Sequence, residues 1–313
     1  MSQHLFITGA SGYLGQAVAQ RLLRAGHRVS GLVRSDAAAK SVRAQGVAPV
    51  IGGLDDVAEI DLSSYDGVID TATADHAPST QAFLEALGGT GRTFIRTSGT
   101  GVYTDLAGGG PSDVVYQEDD VFAPAEVVAA RYHSDERVLA SARDGIRSIV
   151  IRPAMVYGDG ASEQLPLLLR HALGSGRSIF AESGENRWGN VYLYDLAELY
   201  LLALEKAQPG AVYNVASGEC EMREIADGIA AVLGQGRGVS VPLDTAREVL
   251  GARWVDVALA SNSRVDSTRA REELGWNPVG PGLLEDLVHG SYKRVWASKG
   301  DPHDHVAPAD AAR

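Results

Sequence analysis

Apolar and polar positions follow two different patterns along the first half of the chain. Short apolar runs predict β-strands at 4–8, 28–33, 47–51, 67–71, 93–97 and 147–152. Between these runs, apolar residues recur every three or four positions, which predicts helices near 13–25, 36–45, 79–87 and 124–144. Strands and helices that alternate in this way build a parallel sheet covered by helices. We therefore predict an α/β fold with a Rossmann-type, doubly wound parallel sheet.

The alternation of strands and helices becomes irregular after Gly158. Glycine clusters at 174–189 and 234–238 separate two further predicted helices, near 195–207 and 221–233. We assign 1–157 to a Rossmann domain and 158–297 to a smaller C-terminal α/β lobe that binds the substrate, with the helical segment 190–208 returning to the first domain. The tail at 298–313 is polar and aperiodic, and we expect it to be disordered.

The charge balance and the cysteine content restrict the class of protein. The formal net charge is -12, from 28 Lys and Arg against 40 Asp and Glu, so we expect neither a nucleic-acid nor a membrane partner. The single cysteine, Cys220, cannot form an internal disulfide, and no targeting leader or run of about 20 apolar residues is evident. We expect a cytoplasmic protein. No group of histidines and acids has zinc-ligand spacing, so no metal site is predicted.

The run Thr-Gly-Ala-Ser-Gly-Tyr-Leu-Gly at 8–15 joins the first predicted strand to the first predicted helix. Gly9 permits a sharp turn, Gly12 lets the backbone approach a pyrophosphate, and Gly15 lets the helix pack closely on the strand. The phosphates then lie at the helix N-terminus. The predicted cofactor-binding residues of this loop are Gly9, Ala10, Ser11, Gly12, Tyr13, Leu14 and Gly15. The alternative is an ordinary strand-to-helix turn without a ligand.

The residues after the second predicted strand indicate which nicotinamide cofactor binds. An acidic residue there would bind the ribose 2′-hydroxyl and repel a 2′-phosphate, but this chain has Arg34 and Ser35. Arg34 can pair with a 2′-phosphate and Ser35 can add a hydroxyl donor, which predicts NADP(H). The alternative is a solvated Arg34, with Ser35 or Asp36 capping the next helix.

Further motifs occur in a fixed order along the chain. They are 66–70 (Asp-Gly-Val-Ile-Asp), 97–99 (Thr-Ser-Gly), 151–158 (Ile-Arg-Pro-Ala-Met-Val-Tyr-Gly), 186–188 (Asn-Arg-Trp), 212–218 (Val-Tyr-Asn-Val-Ala-Ser-Gly) and 274–278 (Leu-Gly-Trp-Asn-Pro). With the glycine loop, they make residues 1–295 resemble the extended short-chain dehydrogenase/reductase superfamily, also named the NAD-dependent epimerase/dehydratase family. The resemblance implies that Leu54 lies against the adenine. It also places Thr71, Ala72 and Thr73 beside the ribose and pyrophosphate, and Pro153, Ala154, Met155 and Val156 beside the nicotinamide.

The chain departs from this family at the catalytic pair. Members typically use a tyrosine and, four residues later, a lysine on one helix, and neither is present at 126–136. If Asp135 matches the acid that follows the pair, Arg131 takes the lysine position and Val127 the tyrosine position. If Glu136 matches that acid instead, Tyr132 takes the lysine position and Val128 the tyrosine position. We favour the first register, because an arginine followed by a serine and an acid resembles an atypical branch that has lost the pair.

Without that tyrosine, another group has to supply the proton when a carbonyl is reduced. The candidate catalytic residues are Ser98, Thr100, Arg131 and Tyr132, with Arg131 also expected to bind the nicotinamide ribose. Arginine is a poor proton donor at neutral pH, so the two hydroxyls after the fifth strand and the Tyr132 phenol are the candidate donors. Gly99 occupies the usual hydroxyl position. The alternatives are that Ser98 and Thr100 satisfy backbone groups and that Tyr132 packs between helices or at a subunit contact.

Three functions agree with these residues. The first is an NADPH-dependent oxidoreductase of the atypical extended type that acts on a small or medium carbonyl, enone or imine. The second is a redox-neutral epimerase, dehydratase or lyase with bound NADP, and the third is a non-catalytic protein that senses NADPH. The expected ligand besides the cofactor is a small molecule. By the resemblance, the helices near 79–87 and after Pro124 form the contact of a possible homodimer.

Overall fold

The computed structural model describes residues 2–297. Its strands are β1 (His4–Thr8), β2 (Arg28–Val33), β3 (Ala48–Ile51), β4 (Gly67–Asp70), β5 (Thr93–Thr97), β6 (Arg147–Pro153), β7 (Met155–Tyr157), β8 (Ile179–Ala181), β9 (Arg187–Tyr192), β10 (Ala211–Val215), β11 (Gly218–Glu221) and β12 (Val239–Val241). Predicted tail residues 298–313 lie outside the described part of the chain.

The helices lie mostly between consecutive strands. They are α1 (Tyr13–Arg24), α2 (Asp36–Ala44), α3 (Ala77–Leu87), α4 (Glu126–Ala140), α5 (Leu165–Ser175), α6 (Leu193–Lys206), α7 (Met222–Leu233), α8 (Leu243–Leu250), α9 (Ala252–Trp254), α10 (Thr268–Leu274), α11 (Leu283–His289) and α12 (Ser291–Trp296). Short 3₁₀ turns cover Leu54–Glu59, Thr100–Tyr103 and Ser141–Asp144. Among these described helices, none is long and apolar enough to cross a membrane.

The central sheet has seven parallel strands in the order β10-β6-β5-β4-β1-β2-β3. The chain runs outward from β1 in one direction to β3, then returns to β4 and continues in the other direction to β10. This is the doubly wound Rossmann topology, and the predicted fold class is confirmed. The order reverses between β1 and β4, so the carboxyl ends of these two strands border the crevice where such sheets bind ligands.

Apolar residues of each central strand face two separate cores because side chains alternate along a strand. Leu5 and Ile7 of β1 face a core shared with α1 and α6, whereas Phe6 faces a core shared with α3. These residues are fully buried, and burying such side chains contributes roughly 1.5–3 kcal/mol each. The sheet is therefore fixed on both faces, and its carboxyl edge is a rigid base for loops.

The C-terminal lobe has its own small sheets and core. β7, β9 and β11 form one sheet and β8 pairs with β12, while α5, α7 and α11 contribute to a third apolar core. The predicted boundary at residue 157 stays a prediction. Two elements after residue 157 belong to the first domain, because α6 packs in the core with α1 and β10 is an edge strand of the central sheet. Strand β10 was not among the predicted strands.

Candidate functional site

The glycine turn between β1 and α1 has a geometry that requires glycine at two positions. Gly9 has φ +66°, and a Cβ there would lie 2.8 Å from the Ala72 Cα. A Cβ on Gly15 would lie 2.1 Å from the Gly9 carbonyl oxygen, so the helix can approach the turn only without a side chain. Gly12 immediately precedes α1 and has no side chain to cap it, which leaves the first helical amides available to an anion.

The loop after β4 lies directly against this turn. The Thr71 hydroxyl donates a hydrogen bond to the Thr8 carbonyl at 2.7 Å, and Ala72 is the residue that a Gly9 side chain would strike. Thr73 accepts a hydrogen bond from the Asp75 amide at 3.2 Å. Thr71 and Ala72, two of the three residues expected beside the ribose and pyrophosphate, are thus brought to the glycine turn, while Thr73 shapes the loop that follows.

Asp70 ends β4 beneath the same turn. Its carboxylate accepts a hydrogen bond from the Thr8 hydroxyl at 2.5 Å, and its Oδ2 has no partner among the described residues. Complete burial raises the pKa of Asp70, against the opposing effect of the Thr8 hydrogen bond.

Arg34 and Ser35 follow β2 at the carboxyl edge of the sheet. The Ser35 hydroxyl oxygen accepts a hydrogen bond from the Ala38 amide at 3.2 Å and so caps α2. This is the capping arrangement considered as an alternative, and it leaves the Ser35 hydroxyl proton free to be donated. Arg34 is exposed, and within residues 2–297 no carboxylate forms an ion pair with it. Leu54 is partly buried at the start of the turn after β3.

Helix α4 is anchored beneath the site by one fully buried acid, Asp135. Its carboxylate accepts hydrogen bonds from the Nε atoms of Arg96 and Arg152, each at 3.0 Å, and from the Ser98 hydroxyl at 2.7 Å. Arg96 and Arg152 are 0% and 2% exposed. Ser98 therefore donates its hydroxyl proton within this cluster, which was not predicted from the sequence.

Arg131 lies one helical turn before Asp135, on the same face of α4. Its Nη1 atom lies 3.6 Å and 3.4 Å from the positions that a Cβ would take on Gly99 and Gly101. The loop after β5 thus meets Arg131, whereas the Tyr132 ring packs edge-on against Phe122 at 5.0 Å between centroids. The register in which Asp135 follows the missing pair stays a prediction.

Asp75, in the loop before α3, fixes the position of Arg131. The guanidinium donates from Nε and Nη2 to the two carboxylate oxygens at 2.9 Å and 2.8 Å. Arg131 lowers the pKa of the Asp75 carboxyl through these hydrogen bonds and its charge. Sequence reasoning missed Asp75, whose only signal was an acid in a loop expected at the sheet edge.

Thr100 is 3% exposed and shares a hydrogen bond with the hydroxyl of Ser263 from the C-terminal lobe. Ser263 also accepts a backbone hydrogen bond from the Gly189 amide at its carbonyl. The pair joins the two lobes beside Gly99 and Gly101, and Ser263 was missed because nothing in its local sequence distinguishes it.

An aromatic cluster packs against α4 at Tyr132. The Tyr103 ring stacks on Tyr116 at 4.6 Å, Phe122 touches both, and the Arg152 guanidinium carbon lies 5.7 Å from the Tyr132 ring centroid. Burial raises the pKa of Tyr132. The Tyr103 hydroxyl donates to the Asn214 side-chain oxygen at 3.0 Å. The role of Tyr132 as a proton donor stays a prediction.

The segment expected beside the nicotinamide follows β6 and borders the glycines of the β5 loop. The Pro153 carbonyl oxygen lies 3.7 Å from the position of a Gly99 Cβ. Ala154 and Met155 are buried, and Val156 is half-buried in the strand that pairs with β9. Pro153, Gly99 and Arg131 thus surround one space at the carboxyl edge of the sheet.

Two further expectations concern partners and metals. Helices α3 and α4 lie side by side, and Arg137 donates a hydrogen bond to Gln81 across them. The homodimer that the resemblance places on these helices stays a prediction. Within residues 2–297, no group of three or more His, Cys, Asp or Glu side chains is arranged to hold a metal ion.

Comparisons with known proteins agree with this geometry. The model of the NAD dependent epimerase/dehydratase family matches residues 5–216. An uncharacterized protein of Saccharomyces cerevisiae is 32% identical over 90% of this chain and 97% of that protein. The 2-alkyl-3-oxoalkanoate reductase of Stenotrophomonas maltophilia is 28% identical over 74% of this chain and 76% of the reductase.

A solved structure shows the same fold at low sequence identity. The dTDP-glucose 4,6-dehydratase of Bacillus anthracis, in complex with NAD, superposes with a TM-score of 0.73 at 15% identity. The match covers 94% of this chain and 97% of the dehydratase chain. The family match spans the glycine turn, the β5 loop and the segment after β6. The chain belongs to the NAD dependent epimerase/dehydratase family.

Proposed function

We propose that the protein is an NADP(H)-dependent oxidoreductase that acts on a small or medium-sized carbonyl, enone or imine. The observation that carries the proposal is the glycine turn combined with Arg34, an exposed arginine at the end of β2 that has no ion-pair partner among residues 2–297. The first feature suits the pyrophosphate of a dinucleotide. The second suits the 2′-phosphate that distinguishes NADP(H) from NAD(H).

The residues present fit such a cofactor. A Cβ on Gly12 would meet only the Gly9 carbonyl oxygen, at 3.1 Å, so the space in front of the first amides of α1 is open to a phosphate. Thr71 and Ala72 form the opposite wall, and Pro153 to Val156 border the far end. When bound, the cofactor supplies the hydride donor or acceptor, and the residues of this chain bind, orient and exchange protons.

The candidate hydroxyls differ in their hydrogen-bond partners. Ser98 donates to a buried carboxylate and stabilises the loop. We propose Thr100, with Ser263 as its neighbour, and Tyr132 as the sources of the proton that a reduced carbonyl oxygen requires. Reductases among the similar proteins support net reduction as the reaction.

Cofactor preference tests the observation that carries the proposal. We expect NADPH to bind more tightly than NADH, measured by the fluorescence increase of the bound nicotinamide. Replacing Arg34 with Asp should weaken NADPH binding by about tenfold to a hundredfold, because a charge-assisted hydrogen bond contributes about 1.5–3 kcal/mol. Arg28→Asp, at the other end of β2, is the matched control and should leave both affinities unchanged. Tighter binding of NADH by the parent protein would refute the NADP(H) assignment.

Turnover separates the oxidoreductase from the two other functions. We expect a panel of ketones, enones and imines to include substrates that consume NADPH, followed by absorbance at 340 nm. Product formation without a change at 340 nm would instead establish a redox-neutral reaction. Tight NADPH binding without any turnover would favour the sensor, whose basis is the aliphatic residue at the position of the family's tyrosine, Val127 in the favoured register.

A further inference from the structure

Arg131 has one nitrogen that its ion pair does not use. The Asp75 carboxylate accepts from Nε and Nη2, whereas Nη1 donates to no acceptor within residues 2–297. Nη1 lies opposite Gly99 and Gly101, where side chains are missing, and the Pro153 carbonyl bounds the same space. We define Gly99, Gly101 and the Arg131 guanidinium as the glycine-arginine cradle. The cradle offers two N–H donors beside the segment expected to border the nicotinamide.

The ion pairs around the cradle contain more guanidiniums than carboxylates. The guanidiniums of Arg96, Arg131 and Arg152 face the carboxylates of Asp75 and Asp135. The next charges acting on the pair are those of Arg253 and Glu163, which offset each other. Asp70 is completely buried and accepts a hydrogen bond from the Thr8 hydroxyl, and burial raises its pKa. In these ion pairs three guanidiniums thus face two carboxylates, and a substrate anion at the cradle would gain a charge-assisted hydrogen bond from Arg131.

We propose that the glycine-arginine cradle binds an oxygen anion of the substrate, so that the enzyme takes oxo acids in preference to neutral ketones. This inference rests on the proposed function and names its substrate class. It assigns the free Nη1 to the substrate, whereas the family resemblance assigns the same helix position to the nicotinamide ribose. The absence of side chains at Gly99 and Gly101 gives a carboxylate oxygen access to the guanidinium.

Asp75 acts in this arrangement as a positioning residue. A long arginine side chain loses rotational freedom when it is held in one geometry. The two hydrogen bonds to Asp75 already hold the Arg131 side chain, so ligand binding does not add this entropy cost. Asp75 occupies one edge of the guanidinium and leaves the other edge facing the cradle. The ligand then meets a donor that is already oriented.

Binding of a matched acid and ester to the NADP⁺ complex tests the inference without turnover. The probes are acetoacetate and methyl acetoacetate, measured by titration calorimetry with the protein saturated with NADP⁺. We expect acetoacetate to bind at least about tenfold more tightly than its ester, because only the acid makes a charge-assisted hydrogen bond. Equal affinities, or no binding of either probe, would overturn the inference.

Two variants attribute the preference to the cradle. Arg131→Met keeps the chain length and removes the charge, and it should weaken acetoacetate binding by about tenfold to a hundredfold and the ester by less than about threefold. Gly99→Ala introduces a methyl group into the cradle, and its extended φ of 174° accommodates alanine without backbone strain. This change should also weaken acetoacetate binding. Arg137→Met, on the same helix, and Gly174→Ala, where a Cβ meets nothing within 4 Å, are the controls.

The affinity for NADP⁺ itself distinguishes the two roles of Arg131. We expect Arg131→Met to change NADP⁺ binding by less than about threefold while acetoacetate binding falls. A fall in NADP⁺ binding with the preference for the acid unchanged would assign the guanidinium to the ribose and overturn the inference. If the parent protein bound no NADP⁺, the proposed function itself would fail, which is a separate result.

Discussion

Replacing Asp135 with Asn should destabilise the protein more than any other conservative change near the site. The Asp135 carboxylate is 0% exposed and is the shared acceptor of two buried guanidiniums and the Ser98 hydroxyl. Asparagine keeps the volume but loses the charge, and its amide nitrogen would face a donor. Arg96 and Arg152 would then lose the counter-charge that they share.

The magnitude follows from the burial of these groups. Removing one partner of a buried ion pair costs about 3–5 kcal/mol, because it leaves an uncompensated charge away from water. The hydrogen bonds at 2.7–3.0 Å that are lost or weakened lie within this figure and are not added to it. We therefore expect Asp135→Asn to lower the free energy of unfolding by about 3–5 kcal/mol.

Urea denaturation followed by tryptophan fluorescence and far-UV circular dichroism measures the effect, provided that the slope with denaturant is unchanged. Asp75→Asn is the matched control, because it breaks another two-bond arginine pair whose carboxylate is 48% exposed. That change should cost about 1 kcal/mol or less, since water and salt screen exposed pairs. An Asp135→Asn protein within about 1 kcal/mol of the parent would refute the reasoning.

Three further predictions concern the glycine turn, the proton source and the cysteine. Gly15→Val should abolish NADPH binding seen by fluorescence, because its Cβ would lie 2.1 Å from the Gly9 carbonyl oxygen; retained affinity would contradict this. Thr100→Val should lower kcat by about a hundredfold or more if Thr100 donates the proton, and Tyr132→Phe tests the Tyr132 phenol in the same way. If both variants turn over at near-parental rates, neither residue is the proton donor. Burial raises the pKa of the Cys220 thiol to about 11, so its modification by a thiol reagent should accelerate about tenfold per pH unit between pH 7.5 and 9.5. A plateau near pH 8.5 would contradict that cause.

The junction of β1 and α1 was predictable because its constraints are mostly local. Gly9 and Gly15 lie within one short segment, and the apolar residues before it and the helical period after it identify its strand and helix. The six predicted strands of the central sheet agree with the structure to within one residue at each end. Each of them is an apolar run bounded by turn residues, and alternation with helices is sufficient to indicate a parallel sheet.

Strand β10 was missed for a physical reason. Its residues, Ala211–Val215, follow the irregular part of the chain, and only β6 pairs with it in the central sheet. An apolar run does not indicate which strand it will pair with. The place of β10 in the central sheet depends on pairing with β6, about 60 residues earlier in the chain. It also depends on the packing of α6, which lies between β6 and β10 in the sequence.

The sequence by itself determined the fold class, the glycine turn and the identities of the residues around the β5 loop. Only the tertiary structure decided their partners: Ser98 with Asp135, Arg131 with Asp75, and Thr100 with Ser263. These pairs are separated by 37, 56 and 163 residues, and each depends on a hydrogen-bond distance of about 3 Å between side chains. Periodicity and local motifs predict which elements form, but a contact of that precision exists only after the elements have packed.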